Sequence, residues 1–240
     1  MCLCGSEKSG SKTIKSMIYK KFIKRVLDIL ISVVALLILS PLLIPVMLIL
    51  WATGEHYVFY GQNRVGHKNN TFKIWKFATM LKASPSLGTG SITTRNDPRV
   101  LPFGRFLRKT KINELPQIFN ILLGDMTLVG PRPLMKVDFD KYSEDIKAVI
   151  YQTRPGLTGI ASIVFSDEEQ YYTGSITDPH EYDRLYIAPY KGALEKWYQQ
   201  HCSAWTDLKI IILTAWVIVS PKSRLTFTFF RDLPAKPEHL

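Results

Sequence analysis

The sequence predicts an α+β fold that is mainly helical and carries a membrane helix near its N-terminus. Three observations predict it: an uncharged apolar stretch from Ile29 to Thr53, alternating apolar and polar residues across 58–80, and apolar residues at helical spacing in much of the remaining chain. The predicted organisation is a disordered lead-in at residues 1–19, a membrane helix at 20–54, a domain at 55–220 and a C-terminal tail at 221–240.

The charge of the chain limits the classes of partner. The 240 residues carry 31 Lys and Arg against 20 Asp and Glu, a formal net charge of +11, which favours nucleic acid, anionic lipid or phosphorylated substrates as partners. Nucleic-acid binding is not predicted, because the positive charge is spread along the chain and no recognition motif is present. The three cysteines have no metal-ligand spacing, and their odd number suits a reducing compartment better than a disulfide framework.

We expect the membrane helix to be re-entrant. Ser40-Pro41 lies in its middle, where proline removes a backbone donor and clashes with the preceding turn, so a break is expected there. Basic residues stand on both sides of the apolar stretch: Lys20, Lys21, Lys24 and Arg25 before it, and Arg64, Lys68, Lys73 and Lys76 after it. The positive-inside tendency places both sides in the cytoplasm. A helix that enters, breaks and returns satisfies both observations, and a single proline-kinked span is the alternative.

The soluble part begins with a small β-hairpin from Val58, bounded by glycines at 61 and 66. Residues 82–98 are rich in Ser, Thr, Gly and Pro and predict a loop long enough to cover a site. Apolar positions between Phe103 and Leu122 predict short amphipathic helices that can lie at a membrane interface. The later predicted elements are an exposed helix at 136–152, a short apolar strand at 159–165, helices at 187–220 and a loosely ordered tail.

The segment from Leu107 to Pro133 is the predicted active site. It combines a basic cluster, a lone carboxylate and a rigid turn: Arg108, Lys109 and Lys111, then Glu114, then Gly130-Pro131-Arg132-Pro133. A site that handles phosphate needs fixed cations, a carboxylate that can hold a metal ion, and a rigid turn to orient them. A second tight turn, with Arg154 at its start, follows later in the chain.

Six motifs in order carry a family resemblance. They are KRVLDILIS, GQNRVG, FKIWKF-TM, LPQIFNILLGDMTLVGPRP, RPGLTG and DLKIIILT. Between about Lys20 and Ser220 the chain therefore resembles the bacterial sugar transferases, the small monotopic phosphoglycosyl transferases. The resemblance implies a cytoplasmic domain and a re-entrant helix at the bacterial inner membrane. It also implies transfer of a sugar phosphate from a UDP-sugar to polyprenyl (undecaprenyl) phosphate, with Mg²⁺ and release of UMP, as the first membrane step of surface glycan assembly.

The resemblance also implies partners and residue roles. The expected partners are a UDP-sugar, polyprenyl phosphate and inner-membrane lipids, and a homodimer is left open. Lys76 and Arg108 stand where the family carries phosphate-binding cations, and Glu114 matches its metal-associated glutamate. Substrate contacts are further expected from Arg132 and Pro131 in the rigid turn and from Arg154.

The sequence departs from the family at the catalytic pair. Where the family carries Asp-Glu, with the aspartate as nucleophile, this chain has Asn113-Glu114, and an amide is not a useful nucleophile. Ala78 replaces a usual basic residue, and the stretch after RPGLTG lacks a common phosphate-binding arginine.

Four mechanisms stay open at this catalytic pair. Glu114 is the nucleophile, polyprenyl phosphate attacks the donor directly, Asn113 is an introduced or deamidating substitution, or the chain binds substrates without turnover. Direct attack is preferred as a hypothesis, because it needs no covalent residue and leaves Glu114 on the metal. The alternative function is a catalytically silent, substrate-binding or scaffold protein in glycan assembly.

Overall fold

The computed structural model describes residues 19–87, 97–172, 178–220, 223 and 225–237. Its helices are α1 (Lys24–Ala52), α2 (Pro102–Lys109), α3 (Gln117–Leu123), α4 (Lys136–Phe139), α5 (Glu144–Ile150), α6 (Ile160–Val164), α7 (Pro179–Tyr182), α8 (Ala188–His201), α9 (Ala204–Val219) and α10 (Leu225–Phe229). Its strands are β1 (Phe59–Val65), β2 (Thr71–Phe77), β3 (Thr127–Val129) and β4 (Gly156–Thr158). The prediction of a mainly helical fold with a small hairpin is confirmed.

Helix α1 is the one described helix that is long and apolar enough to cross a membrane, by length and composition. It runs through Pro41 and Pro45 without losing helical backbone. Pro41 has no N–H to bond the carbonyl of Leu37, and the hydroxyl of Ser40 donates to that carbonyl instead at 2.9 Å. The predicted break at Ser40-Pro41, and with it the re-entrant course, is therefore not confirmed.

The basic residues before the apolar stretch attach α1 to the rest of the molecule. Lys24 is buried and forms an ion pair with Asp207 in the first turn of α9. The hydroxyls of Tyr19 and Tyr198 each donate to the same carboxylate at 2.7 Å. Three donors thus satisfy one buried carboxylate, which removes the cost of an unpaired charge.

Two further residues near the start of α1, Arg25 and Asp28, also attach it to the rest of the molecule. Asp28 is buried and accepts hydrogen bonds from the Thr127 hydroxyl at 2.5 Å and from the Leu128 amide at 3.0 Å. The guanidinium of Arg25 donates to two carbonyls in the last turn of α3, where a cation also complements the helix dipole. The start of α1 is therefore held against α3, β3 and α9.

We expect Asp207→Ala to destabilise the fold strongly, by about 3–5 kcal/mol, because it leaves the buried ammonium of Lys24 without its counter-charge. Urea unfolding in detergent micelles measures the change. The double variant Lys24→Met/Asp207→Leu is the matched control and should recover most of the stability. A loss below about 1 kcal/mol in Asp207→Ala, the range of an exposed pair, would contradict the buried network.

The predicted hairpin is confirmed as an antiparallel pair of strands. Strands β1 and β2 pair from Phe59 opposite Phe77 to Val65 opposite Thr71. The tip reverses through Lys68 and Asn69, whose φ angles of 55° and 60° lie in the left-handed region. A second, parallel pair joins β3 to β4, so the two predicted tight turns lie side by side.

The main core lies between the later helices. Its fully buried members come from α6, α8 and α9: Ile160, Leu194, Tyr198, Ile210 and Leu213. The helices predicted at 187–220 are confirmed as α8 and α9. This core packs against β3 and β4.

Three predicted elements are wrong. Residues 136–152 form the two short helices α4 and α5 rather than one exposed helix, and Phe139 and Ile150 are buried. The run at 159–165 forms α6 rather than a strand, because a short apolar run has no period that separates the two. The tail is not loose at 225–237: α10 is helical and Phe230 is buried against Trp197. Of the predicted covering loop at 82–98, residues 88–96 lie outside the described residues.

Candidate active site

Three distant parts of the chain bring charged groups to one place. Lys76 comes from β2, Glu114 from a single 3₁₀ turn at Ile112–Glu114, and Arg132 from the turn after β3. Arg132 Nη2 lies 3.1 Å from Glu114 Oε1, and Lys76 Nζ lies 3.6 Å from the same oxygen. The carboxylate is 15% exposed. We call Lys76, Glu114 and Arg132 the charged triad.

The local backbone explains how Glu114 reaches this place. Helix α2 ends at Lys109, and Lys111 then adopts a left-handed conformation with φ of 59°. This conformation is unfavourable for a lysine, and it turns the chain sharply into the 3₁₀ turn that carries Glu114. Leu107, which is fully buried, fixes α2 against the end of α1.

Arg132 is held by a pair of interlocked turns. The Gly156 amide donates to the Pro131 carbonyl at 2.8 Å, and the Gly130 amide donates to the Thr158 carbonyl at 2.9 Å. A Cβ at Gly156 would lie only 2.1 Å from the Gly130 nitrogen, so this close approach requires glycine. The turn that presents Arg132 is therefore rigid on its β4 side.

The charged triad strongly shifts the pKa values of its members. Burial alone would raise the pKa of Glu114, but the charges of Arg132 and Lys76 outweigh it and hold that pKa well below its usual range. Burial lowers the pKa of Lys76 to about 7, since the neighbouring arginines offset part of the attraction of Glu114. Glu114 raises the pKa of Arg132. Glu114 is therefore held as the carboxylate, whereas Lys76 gives up its proton more readily than an exposed lysine does.

A cleft opens beside the charged triad. It is small and partly open to solvent, and it is lined by Arg64, Ile74, Lys76, Gln117, Arg132, Pro133 and Gly156. Arg64 is a cation of this cleft that sequence reasoning assigned only to the basic side of the membrane helix. Its guanidinium donates to Gln62 and to the Pro133 carbonyl, the latter at 3.3 Å, and burial followed by the charge of Arg132 lowers its pKa to about 10. Three cations thus face one space, a composition that suits a phosphorylated ligand.

The other predicted residues lie at different places. Asn113 is 6% exposed, and its Oδ1 finds no hydrogen-bond partner within the described ranges. Arg108 reaches the sulfur of Met80 at 3.8 Å and contributes to the lowered pKa of Lys76. Arg154 is not brought into the charged triad: its Nε donates to the carbonyl of Gly124 at 2.7 Å, at the end of α3. Its predicted substrate contact stays a prediction.

The donor groups allow a shared magnesium ion rather than a protein-only site. No group of three or more His, Cys, Asp or Glu side chains is assembled to hold a metal among the residues searched, which are the described ones. Glu114 is ionised and contacts Lys76 and Arg132, two of the residues that line the cleft. Mg²⁺ characteristically takes one or two carboxylates together with substrate phosphates and water. The residues therefore fit Mg²⁺ only if a phosphorylated ligand supplies the remaining oxygens.

A family model described as bacterial sugar transferase matches residues 19–221. The chain belongs to the bacterial sugar transferase family. The family predicted from six motifs is confirmed, and the match covers α1, the hairpin, the charged triad and the core helices.

Curated relatives of this bacterial sugar transferase carry informative names. Undecaprenyl-phosphate galactose phosphotransferase of Salmonella typhimurium is 32% identical over 213 residues, 83% of this chain and 41% of the relative. UDP-N-acetylgalactosamine-undecaprenyl-phosphate N-acetylgalactosaminephosphotransferase of Aeromonas hydrophila is 34% identical over 204 residues, 83% of this chain and 44% of the relative. Exopolysaccharide production protein ExoY of Rhizobium meliloti is 35% identical over 206 residues, 80% of this chain and 83% of the relative. The chain thus spans less than half of the first two proteins and most of the third.

Proposed function

We propose that this bacterial sugar transferase moves a sugar phosphate from a UDP-sugar to polyprenyl phosphate, and releases UMP. The observation that carries the proposal is the charged triad beside a cleft lined by three basic side chains. Relatives of the chain are named as undecaprenyl-phosphate sugar phosphotransferases, which agrees with this geometry. Both substrates are anions, so the site must hold cations against their mutual repulsion.

The proposed reaction is a phosphoryl substitution. An oxygen of polyprenyl phosphate forms a bond to the β-phosphorus of the UDP-sugar, and the bond from that phosphorus to the bridging oxygen breaks, so the electron pair leaves with UMP. Arg132 and Lys76 are placed to neutralise the negative charge that develops on the phosphoryl oxygens. Arg132 offers a planar fork for two oxygens, whereas Lys76 offers a point charge.

Glu114 has a holding role in this proposal. Two cations share its Oε1, which suits a carboxylate that holds charged groups in place better than one that attacks phosphorus, so direct attack is preferred to a Glu114 intermediate. Glu114 would hold Mg²⁺ together with donor phosphate oxygens. When bound, the ion would supply charge neutralisation on the pyrophosphate. Asn113 is then a neighbour that makes no covalent bond.

The membrane location follows from the same proposal. The exposed apolar surface of α1 would lie in the inner membrane and keep the polyprenyl chain near the cleft, with the domain on the cytoplasmic face. Lys24 forms an ion pair and Arg25 a hydrogen bond within the protein. These two residues are therefore weaker evidence for a cytoplasmic location than solvent-facing basic residues would be. The re-entrant course stays a prediction, and the addition of cysteine-reactive reagents to either side of a vesicle would test it.

The identity of the lipid product tests the proposed function. The protein in nanodiscs is incubated with undecaprenyl phosphate, Mg²⁺ and each of a set of UDP-sugars, and lipids are analysed by mass spectrometry. We expect undecaprenyl diphosphate sugar from at least one donor. If UDP-sugars bind without any lipid product, the chain is instead the silent substrate-binding protein, which the loss of the family aspartate at Asn113 favours.

Affinity for the donor should fall as pH rises. Because burial lowers the pKa of Lys76 to about 7, the cation should be present at pH 6 and largely lost at pH 8. The diphosphate of a UDP-sugar does not titrate in this range, so its dissociation constant should rise about tenfold between pH 6 and pH 8. Isothermal titration calorimetry measures the change, and Lys76→Arg should remove it. A pH-independent constant in the unsubstituted chain would contradict the account of Lys76.

A further inference from the structure

The wall of the cleft contains a neutral polar side chain that the proposed reaction does not use. Gln117 is the first residue of α3, is 2% exposed and lines the cleft. Neither Oε1 nor Nε2 of its carboxamide forms a hydrogen bond within the part of the chain that the structure describes. Unlike Asn113 Oδ1, which is fully enclosed, both atoms keep a small exposed surface. The carboxamide is therefore the part of Gln117 that is open to the cleft.

Gln117 is held in this position by its helix. One turn later in α3, Asn120 accepts a hydrogen bond from the Trp75 amide at 3.0 Å and donates to the Lys73 carbonyl at 2.8 Å. These two bonds fasten α3 to β2, the strand that carries Lys76. Gln117 and Lys76 thus reach the cleft from two elements that are fixed to each other, and a preorganised group loses little freedom when it binds a ligand.

A carboxamide without partners sets a requirement on the ligand. It has two N–H donors and an oxygen acceptor, and burying it unpaired is costly. Water can satisfy it in the absence of a ligand, but a ligand that displaces this water must replace its hydrogen bonds or lose affinity. A ligand that fits the cleft therefore offers Gln117 a group that both donates and accepts.

The neighbours of Gln117 indicate where on the ligand this group lies. Arg64 and Arg132 are donors only, as is the charged Lys76, and all three line the same cleft. Phosphate oxygens suit these cations, but the oxygens of an ionised diphosphate ester cannot donate to the carboxamide oxygen. The group that Gln117 binds is therefore neutral and lies next to a phosphate.

We propose that Gln117 is a specificity-determining residue whose carboxamide hydrogen-bonds the group on C2 of the transferred sugar. The inference rests on the proposed function for the identity of the ligand. Polyprenyl phosphate offers a phosphate and a hydrocarbon chain, so of the two substrates only the UDP-sugar has neutral hydrogen-bonding groups. C2 is bonded to the carbon that carries the phosphate, and a hydroxyl or acetamido group there both donates and accepts. The ribose hydroxyls lie one carbon farther from their phosphate.

The test compares ligands that differ in this one group. UDP-glucose, UDP-galactose and UDP-N-acetylgalactosamine are screened by calorimetry with the protein in nanodiscs and Mg²⁺. The donor that binds most tightly is then compared with the UDP-2-deoxy sugar of the same C4 configuration. UDP and inorganic pyrophosphate report on the uridine and phosphate contacts without a sugar.

Each ligand is measured with three forms of the chain. They are the unsubstituted chain, Gln117→Met, which keeps the size of the side chain, and the matched control Gln152→Met, which changes an exposed glutamine. Thermal midpoints establish that both variants are folded.

The unsubstituted chain should bind the 2-deoxy donor about tenfold more weakly than its parent, the effect of one well-formed hydrogen bond. Gln117→Met should weaken binding of the parent by about the same factor and abolish the difference between the two donors. Its affinity for UDP and for pyrophosphate should stay within about twofold, because neither ligand has a C2 group to lose. Gln152→Met should bind every ligand like the unsubstituted chain.

Three results would overturn the proposal. Equal affinity of the unsubstituted chain for the two donors would do so even if Gln117→Met did not fold. A difference between the donors that persists in Gln117→Met would show that another residue binds the C2 group. An equal loss of affinity for pyrophosphate or UDP in Gln117→Met would place the carboxamide on the phosphates or the uridine instead.

Formation of the lipid product separates this inference from the proposed function. UDP-sugar binding and transfer that ignore the C2 group reject the role of Gln117 and leave the function standing. C2-dependent binding through Gln117 without any lipid product keeps that role and rejects transfer. Pyrophosphate binding without binding of any UDP-sugar rejects both.

Discussion

Glu114→Gln should reduce the rate of UMP release by about 10²–10³-fold, the effect of removing one preorganised electrostatic group from a reacting centre. The amide keeps the size of the side chain but removes the charge that pairs with Arg132 and Lys76 at 3.1 and 3.6 Å. It also removes the carboxylate proposed to hold Mg²⁺. Without its counter-charge, Lys76 should lose its proton at a still lower pH. One substitution therefore weakens Mg²⁺ binding and also reduces the positive charge on Lys76.

The matched control for this prediction is Glu144→Gln. The Glu144 carboxylate is 89% exposed and lies at the start of α5, so the same chemical change should leave the rate within twofold. Steady-state assays of UMP release with saturating donor and acceptor compare the two. If Glu114→Gln keeps the full rate, the charged triad is not the active site.

Arg132→Lys should reduce UMP release by about 10²-fold although it preserves the positive charge. The guanidinium reaches Glu114 from a turn fixed by Gly130 and Gly156. A lysine has one donor centre on a longer flexible stem and cannot hold Glu114 and a phosphate oxygen in the same plane. The loss should fall on the rate constant as well as on donor affinity.

Arg184→Lys provides the matched control, because Arg184 is 58% exposed and its ion pair with Glu181 spans 3.8 Å at the surface. The control should behave like the unsubstituted chain. Equal activity of Arg132→Lys and Arg184→Lys would show that the fork of Arg132 has no part in the reaction.

The site residues that could be predicted from the sequence are those that lie close together along the chain. Glu114 and Arg132 are 18 residues apart, and their chemistry is legible in one segment. Lys76 was assigned through the resemblance, because its distance from Glu114 depends on how β2 packs beside the 3₁₀ turn. Arg64 was missed as a member of the cleft, because the local sequence around a basic residue on a strand does not show whether the side chain faces lipid, solvent or a ligand.

The features that could not be predicted from the sequence all depend on tertiary packing. Nothing in the sequence around Lys24 distinguishes a lysine buried against Asp207 from one in a basic membrane flank. Proline 41 was expected to break the helix, but the Ser40 hydroxyl bonds the carbonyl that proline leaves free.

The central proposal is direct transfer of a sugar phosphate at the charged triad. Its most direct test is whether UMP release depends on the acceptor. Rapid-quench measurements follow UMP from a UDP-sugar with undecaprenyl phosphate omitted or added. The account predicts no UMP without the acceptor, steady release without a burst when it is added, and loss of that release in Glu114→Gln. A burst equal to the enzyme concentration without acceptor would contradict direct attack. Release by Asn113→Asp alone would show that the natural chain does not carry out the transfer.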